Sequence, residues 1–341
     1  MDSRTLIGAL QDVLLKQLAA LTEGHETVAL LDFPKYTNIG DSLIWLGQLR
    51  LLKLLGKKIV YVCSYDDWNE EAMRRQLEPS SAILLQGGGN FGDLWPVHHE
   101  FRLEIIRRFP RHRIIQLPQS IYFGELDVLT KSKAVLDSHP DLHLMTRDAT
   151  SHALAKSHFT CPVLLSPDAA FMIGPVKRRK PVTRLFLLLR TDKERKTDAD
   201  NLVRVLDDVP VRSGDWLHEL SSVKRLSRLY RAAQSLLPSE RLRMRAKLWM
   251  TFFVGAARLR EGIRLLSQGE LGIYDRLHAH ILGVLLDLPH VALDNSNGKI
   301  SSFYSEWTHR YSGSRLISDM AEIPAALDQL SGRKNWKRSL T

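Results

Sequence analysis

Short, near-continuously apolar runs recur along this chain, separated by amphipathic segments. Residues 27–33, 58–63, 82–85, 113–117, 142–146 and 162–165 are of strand length, and residues 42–55, 101–109, 126–136 and 149–157 have helical spacing. A strand with one wet face alternates apolar and polar side chains. Runs without that alternation belong to strands buried on both faces, which in a βα repeat means a parallel sheet between two layers of helices. The expected class is therefore α/β and doubly wound.

The pattern breaks at 174–181, where prolines and the cations Lys177, Arg178, Arg179 and Lys180 read as a linker. It resumes with strands at 185–189, 271–274 and 290–293 and a helix at 277–286. At 341 residues the chain exceeds what one core usually serves. Two domains are expected, 1–174 and 182–341, facing each other across a cleft. Within the second, residues 216–266 form a helical, basic insert carrying Lys224, Arg225, Arg228, Arg231, Arg241, Arg243, Arg245, Lys247, Arg258, Arg260 and Arg264. Its Trp249, Phe252, Phe253, Ala256 and Leu259 fall at helical spacing, so one face can be apolar.

Two cysteines, Cys63 and Cys161, cannot build a disulfide framework or a multi-cysteine metal site. No other cluster has metal-ligand spacing, and no metal is expected. The N-terminal segment lacks a basic n-region and an uninterrupted apolar stretch, and no run reaches the ~20 apolar residues of a membrane span. A cytoplasmic protein is expected. The formal charge of +10, with a pI of about 9.6, favours an anionic partner without naming it. Nucleic acid, a phosphorylated small molecule and an acidic membrane surface all qualify.

Open parallel sheets gather ligands at the carboxyl ends of their strands, where loops begin. Four segments there have suitable chemistry. In 37–42, Gly40 permits close backbone approach, and Asn38, Asp41 and Ser42 can cap a helix whose N-terminus attracts anions. A capped turn without a ligand is the alternative. In 87–90, Gly87, Gly88 and Gly89 precede Asn90 and expose N–H groups able to hold phosphate or carboxylate. The G-x-G-x-x-G spacing and the P-loop lysine are both missing, so nicotinamide cofactors and P-loop nucleotides are poorly supported.

In 275–280, Arg276 can clamp a carboxylate or phosphate in bidentate fashion, and His278 can move a proton near neutral pH. On a continuous helix Arg276 and His280 share a face while His278 points elsewhere. Joint action of Arg276 and His278 thus requires them on the loop or the first turn. In 294–299, Asn295, Ser296 and Lys299 can hold an anion. Arg147 and Arg190 end predicted strands, where either can bind an anion or pair with Asp148 or Asp192.

Six runs in order, 40–47 (GDSLIWLG), 85–95 (LQGGGNFGDLW), 115–121 (IQLPQSI), 167–171 (PDAAF), 275–281 (DRLHAHI) and 294–299 (DNSNGK), resemble the polysaccharide pyruvyltransferase family. The similarity spans roughly 27 to 310 and leaves the basic insert out. The resemblance implies two Rossmann-like domains, as in B-type glycosyltransferases. It also implies transfer of a pyruvyl group from phosphoenolpyruvate to a sugar with release of phosphate, and no further cofactor. Arg276 and His278 match donor-site residues of the family pattern, and Arg190 matches a further arginine. Some relatives carry a histidine in the region where this chain has Tyr122. The implied acceptor is a sugar of an exopolysaccharide or capsule unit, carried as a lipid-linked oligosaccharide at the inner face of the plasma membrane. The basic insert would then lie against anionic lipid.

The residue chemistry agrees with this. Phosphoenolpyruvate carries a carboxylate and a phosphate, which call for arginines and backbone donors. Arg276 is the expected clamp, His278 the expected general acid or base, and 87–90 a support for the acceptor or an anion. Two rivals stand beside it: a nucleotide-sugar glycosyltransferase of the same fold, and a nucleic-acid-binding protein. The second is set aside, because the cations cluster in one insert without interleaved stacking aromatics or a known binding module.

Overall fold

The computed structural model describes residues 1–190, 211–234, 236–294 and 298–332, with Leu202, Val205, Leu206 and Val209 between the first two stretches. Among the described residues both sheets are wholly parallel. The first contains β1 (Thr27–Leu31), β2 (Lys58–Cys63), β3 (Ala82–Leu85), β4 (Gly88–Gly92), β5 (Ile114–Tyr122), β6 (Leu142–Thr146) and β7 (Val163–Leu165). Its order is β2-β1-β3-β5-β6-β7, with β4 beside β5. The second contains β8 (Thr183–Leu188), β9 (Val211–Ser213), β10 (Gly269–Tyr274), β11 (His290–Leu293) and β12 (Ser314–Ile317), in the order β12-β11-β10-β8-β9.

Helices cover the sheets: α1 (Ser3–Leu21), α2 (Ile39–Leu54), α3 (Glu70–Gln76), α4 (Pro96–Arg108), α5 (Leu126–Ser138), α6 (Ala149–His158), α7 (Ser221–Gln234), α8 (Glu240–Leu266), α9 (Leu277–Leu285), α10 (Lys299–Phe303) and α11 (Ile323–Ser331). None among the described residues is long and apolar enough to cross a membrane.

The central runs Val28–Leu31 of β1 and Ala82–Leu85 of β3 are wholly apolar because each face meets a different helix layer. In the first sheet Ala29, Leu31, Ile83 and Leu85 join one core cluster, while their neighbours Val28, Leu30, Ala82 and Leu84 join another. The second sheet repeats this, with Leu185, Leu187 and Ile273 on one side and Phe186, Leu188 and Tyr274 on the other. Each fully buried aliphatic side chain contributes about 1.5–3 kcal/mol, so a polar residue at any of these positions would be costly. The two halves are also joined by core. Leu6, Ile7, Leu10, Ile39 and Leu43 of α1 and α2 share one cluster with Phe186, Tyr274 and the apolar side of α9.

Several boundaries differ from the sequence reading, each for a local reason. Helix α2 starts at Ile39, earlier than 42, because the Asn38 side chain caps it by accepting from Gly40 N at 3.0 Å. Helix α4 starts at Pro96, whose missing N–H costs nothing in a first turn, and so it includes His98 and His99. Strand β5 continues to Tyr122 because the glycine run forms β4 and gives it a partner.

The basic insert forms α7 and α8, and its placement departs from expectation. Although it follows the linker in sequence, α8 lies against α2 and β2 of the first half. Gly255 and Gly262 permit the approach, since a Cβ on them would stand 2.9 Å from Leu46 and 3.2 Å from Ile39 of α2. Arg258 is a buried anchor, not part of a solvated charged face. It donates to the carbonyls of Pro34 and Lys35 and to Ser42 Oγ at 2.8–3.0 Å, and burial lowers its pKa to about 10.

Candidate active site

A cavity of about 360 Å³ opens where strands of both sheets end. From the first half it is lined by Asn38 and Asp41 before and within α2, Gly89 and Asn90 on β4, His98 on α4, and Arg147 after β6. From the second half come Arg190 after β8, Arg276 and His278 around the start of α9, and Lys299 at the start of α10. Aromatic surface is supplied by Tyr36, Trp95 and Trp216.

Arg276 is the N-cap of α9, in extended conformation, and His278 sits in the first turn. This is the arrangement under which the two can act together. The Arg276 guanidinium has Asp215 Oδ1 3.5 Å from Nη2. Arg190 is held by its backbone, whose N–H donates to Asp275 Oδ1 at 2.7 Å, leaving the side chain on the cavity wall.

The His278 ring is fixed from two sides. Gly40 backs it so closely that a Cβ there would lie 2.5 Å from Nδ1. Its Nε2 lies 3.3 Å from Arg147 Nη1 and 3.4 Å from Asp168 Oδ2. With Nε2 protonated the ring donates to Asp168; without that proton it accepts from Arg147. Asp168 is fully buried. Burial alone would raise its carboxyl, but His278, the Arg147 guanidinium at 2.6 Å and the Ala170 N–H hold it well below the usual range. Arg147 also donates to Ser120 Oγ at 2.8 Å, and its Nη2 lies 3.1 Å from where a Cβ on Gly89 would be, with Lys299 Nζ 3.8 Å from the same point. Glycine at 89 therefore leaves a gap that two cations border.

The opposite wall carries a group that the sequence reading missed. His98 Nδ1 lies 2.9 and 3.0 Å from the two oxygens of Asp32, and Arg102 Nη2 lies 3.1 Å from the same carboxylate. Asp32 and Arg102 are buried, while His98 reaches the cavity. Asp32 has φ of 71°, a left-handed conformation that costs a non-glycine residue about 1–2 kcal/mol. The ring of His98 packs edge-on to Tyr36 and Tyr65, at 5.4 and 4.9 Å. Burial, with the Asp41 and Asp32 carboxylates, pushes the Tyr36 phenol well above its ordinary value and keeps it a donor. One signal was available in the sequence: His98 and Arg102 are four apart on one helix face, behind a strand that ends in an acid.

Other predicted residues do different work. His280 is a correction. It is fully buried, with Nδ1 2.8 Å from His290 Nε2 and Nε2 2.8 Å from Thr308 Oγ1, away from the cavity. Burial and His290 hold its pKa well below the ordinary value. Helical rotation separates it from Arg276, because Arg276 precedes the helix. Gly87 packs against the Pro118 carbonyl, and Gly88, with φ of 139°, approaches Asp41; both shape β4 without lining the cavity. Asn90 Oδ1 accepts from Arg102 and Gln119 at 2.8 and 3.1 Å. Asn295 and Ser296 lie outside the described residues. Tyr122 ends β5, exposed and off the cavity wall. Among the described residues no group of three or more His, Cys, Asp or Glu could hold a metal ion.

Parallel α/β sheets with four cations and two histidines on one cavity define an α/β protein with a strongly cationic candidate active site. The comparisons with known proteins agree and narrow this. The profile of the family described as polysaccharide pyruvyl transferase matches residues 38–297, and the chain belongs to that family. It is therefore a transferase. EpsO of Bacillus subtilis (strain 168), whose given name ranks it provisionally as a pyruvyl transferase, is 32% identical over 340 residues, covering 95% of this chain and 99% of that one. Pyruvyl transferase 1 of Schizosaccharomyces pombe is 31% identical over 303 residues, 84% of this chain and 71% of its own length. A crystal structure of a functionally uncharacterized Klebsiella pneumoniae protein superimposes with a TM-score of 0.58 at 17% identity, covering 91% of this chain and 99% of that one, which shows the fold alone.

Proposed function

We propose that the chain transfers a pyruvyl group from phosphoenolpyruvate to a pair of sugar hydroxyls, leaving a pyruvate ketal and inorganic phosphate. The observation that carries this reading is the convergence of Arg147, Arg190, Arg276 and Lys299 on a cavity that also holds two histidines and two tryptophans. Phosphoenolpyruvate concentrates a carboxylate and a phosphate on one small molecule, which four cations and the backbone of 89–90 can match. Trp95, exposed beside the cavity, offers flat apolar surface to a sugar face.

In this reading the first sugar hydroxyl adds to C2 of the donor while C3 takes a proton and becomes a methyl group. The bond from C2 to the phosphate oxygen then breaks, and the second hydroxyl adds to C2. Of the protons lost by the two hydroxyls, one balances that given to C3 and the other leaves on phosphate. His278 is the acid, positioned by Asp168 and Arg147, and Arg276 and Arg190 clamp the donor anions. His98, positioned by Asp32, takes the acceptor proton. The fold that goes with this chemistry is two Rossmann-like domains facing a cleft, 1–174 and 182–341, similar to B-type glycosyltransferases. The acceptor is a lipid-linked oligosaccharide of exopolysaccharide synthesis, met in the cytoplasm at the inner face of the plasma membrane. No cofactor beyond the donor and no nucleic acid is required.

The test is incubation with phosphoenolpyruvate and a panel of lipid-linked and aryl glycosides, following phosphate release and the mass of the sugar. A pyruvate-ketal mass gain that disappears in Arg276→Ala is expected. No gain on any acceptor, with thermal protection by a nucleotide sugar and none by phosphoenolpyruvate, would replace this reading with a glycosyltransferase.

A further inference from the structure

We propose that α7 and α8 form a docking surface for an anionic phospholipid bilayer, with Trp249, Phe252 and Phe253 entering the interface and exposed arginines around them meeting the headgroups. This goes beyond the transfer reaction and does not depend on it. Residues 221–260 hold ten lysines and arginines against the single acid Glu240, a net +9, whereas the whole chain is +10. Nearly all of the net charge is thus concentrated on forty residues. Internal contacts use little of it. Arg258 is buried, Lys247 pairs with Asp67, Lys224 pairs with Glu219, and Glu240 is already neutralised by Arg75 of the first half. Arg225, Arg228, Arg231, Arg241, Arg245 and Arg260 are exposed.

The aromatic residues are the second observation. Trp249, Phe252 and Phe253 are 59%, 42% and 46% exposed and touch one another, with ring centroids 5.6–6.4 Å apart. They occupy one face of α8 with Arg245 a turn before and Arg260 two turns after, while Thr251, Val254, Gly255 and Arg258 bury the other face. Three large exposed rings in one patch are not the ordinary surface of a soluble protein. A tryptophan with apolar neighbours and a rim of arginines is the composition that settles at a membrane interface. Two other occupants fit less well. A second copy would bring one +9 surface against another. Nucleic acid would need open ring faces, and these rings are packed edge-on or stacked on each other. The patch is also coupled to the cavity: from Trp249 to Arg258, which holds the 34–35 carbonyls beside the site, α8 rises about 14 Å.

The experiment is co-sedimentation of the full-length protein with vesicles of phosphatidylcholine alone or with about a third phosphatidylglycerol, at low and high salt. Binding to the anionic vesicles that weakens with salt, and little to the neutral ones, is expected. W249S/F252S/F253S should weaken it at least about tenfold. R241S/R245S/R260S should weaken it by about fivefold per arginine. Both sets lie on exposed positions, so melting temperature and phosphate release with a water-soluble acceptor should stay at wild-type values. Equal binding to both vesicle types overturns the proposal without recourse to any variant. So does a wild-type dimer that the aromatic substitutions dissociate, or duplex binding that they abolish while vesicle binding persists. Loss of phosphate release in wild type would strike the transfer reading and leave this one standing.

Discussion

Gly40→Ala is the smallest change that asks whether His278 carries the chemistry. Gly40 lies in the first turn of α2, and a Cβ there would stand 2.5 Å from His278 Nδ1 and 2.8 Å from Cγ. Comfortable separation for such atoms is about 3.5–4.0 Å, so the imidazole has to retreat by roughly 1 Å. It retreats towards Arg147 Nη1 and Asp168 Oδ2, already 3.3 and 3.4 Å from Nε2. Overpacking of this kind costs about 1–3 kcal/mol, and alanine's helical preference offsets little of it in a first turn. Stability should therefore fall only modestly, with a melting temperature within about 4 °C of wild type. A catalytic group displaced by 1 Å costs about a hundredfold in rate. The expected result is a kcat down about a hundredfold with KM for phosphoenolpyruvate nearly constant, since Arg276 and Arg190 are untouched. Phosphate-release kinetics with calorimetry on the same preparation measures both. Wild-type kcat in a folded Gly40→Ala protein would refute the role given to His278.

Asp168→Asn removes the carboxylate paired with the buried Arg147, and should cost about 3–5 kcal/mol at pH 7 in denaturant unfolding. Because the folded pKa of Asp168 is depressed below its ordinary 3.8, the wild-type advantage is complete above that value and shrinks as pH falls through it; an advantage that grew in acid would contradict the assignment. His98→Asn should lower kcat by about 10²–10⁴ and Asp32→Asn by less, with KM for phosphoenolpyruvate steady; a wild-type pH–rate profile in His98→Asn would remove His98 from the reaction. His280→Asn should lower the melting temperature and leave the kcat of the folded enzyme intact, and a selective loss of kcat would restore His280 to the site. Burial holds His99 and His290 at about 4 and His280 well below its ordinary value, so their neutral forms stabilise the fold fully above pH 6.5. That contribution is lost as pH falls from 6.5 towards 4, and the melting temperature should fall with it; a constant one over that window would contradict the buried, neutral state of all three.

What the sequence made legible follows from which forces are local. The strands could be read because burial on both faces makes their central runs continuously apolar, as at Val28–Leu31. The cations Arg147, Arg190, Arg276 and Lys299 could be placed near one another because each ends a strand or begins a helix on the carboxyl side of a parallel sheet. His98 was missed because its partner Asp32 lies 66 residues away, and the i,i+4 spacing of His98 and Arg102 does not name a partner that only the fold brings to them. His280 was over-read for the converse reason. A histidine two residues after the cavity-lining His278 looks similar in sequence, yet about half a turn of helix carries it inward to His290 and Thr308. Arg258 looked like surface charge, and only tertiary packing turns it towards the carbonyls of Pro34 and Lys35.

The shared core limits how this site can open. A hinge between the sheets would have to pull Leu6, Ile7, Leu10, Ile39 and Leu43 away from Phe186, Tyr274 and Leu282, all buried in one cluster. Each side chain exposed would cost about 1.5–3 kcal/mol, so separating several at once is far beyond thermal energy. Access must come from the rim. Trp95 is 43% exposed beside the cavity, and Lys299 starts a five-residue helix behind the left-handed Gly298. The polar groups fixed by the fold sit deeper: His278 against Gly40, Arg147 against Asp168, His98 against Asp32. Substrates thus enter past adaptable rim residues and meet charges whose positions the core has already fixed, which is the condition under which electrostatic stabilisation costs no reorganisation at the moment of reaction.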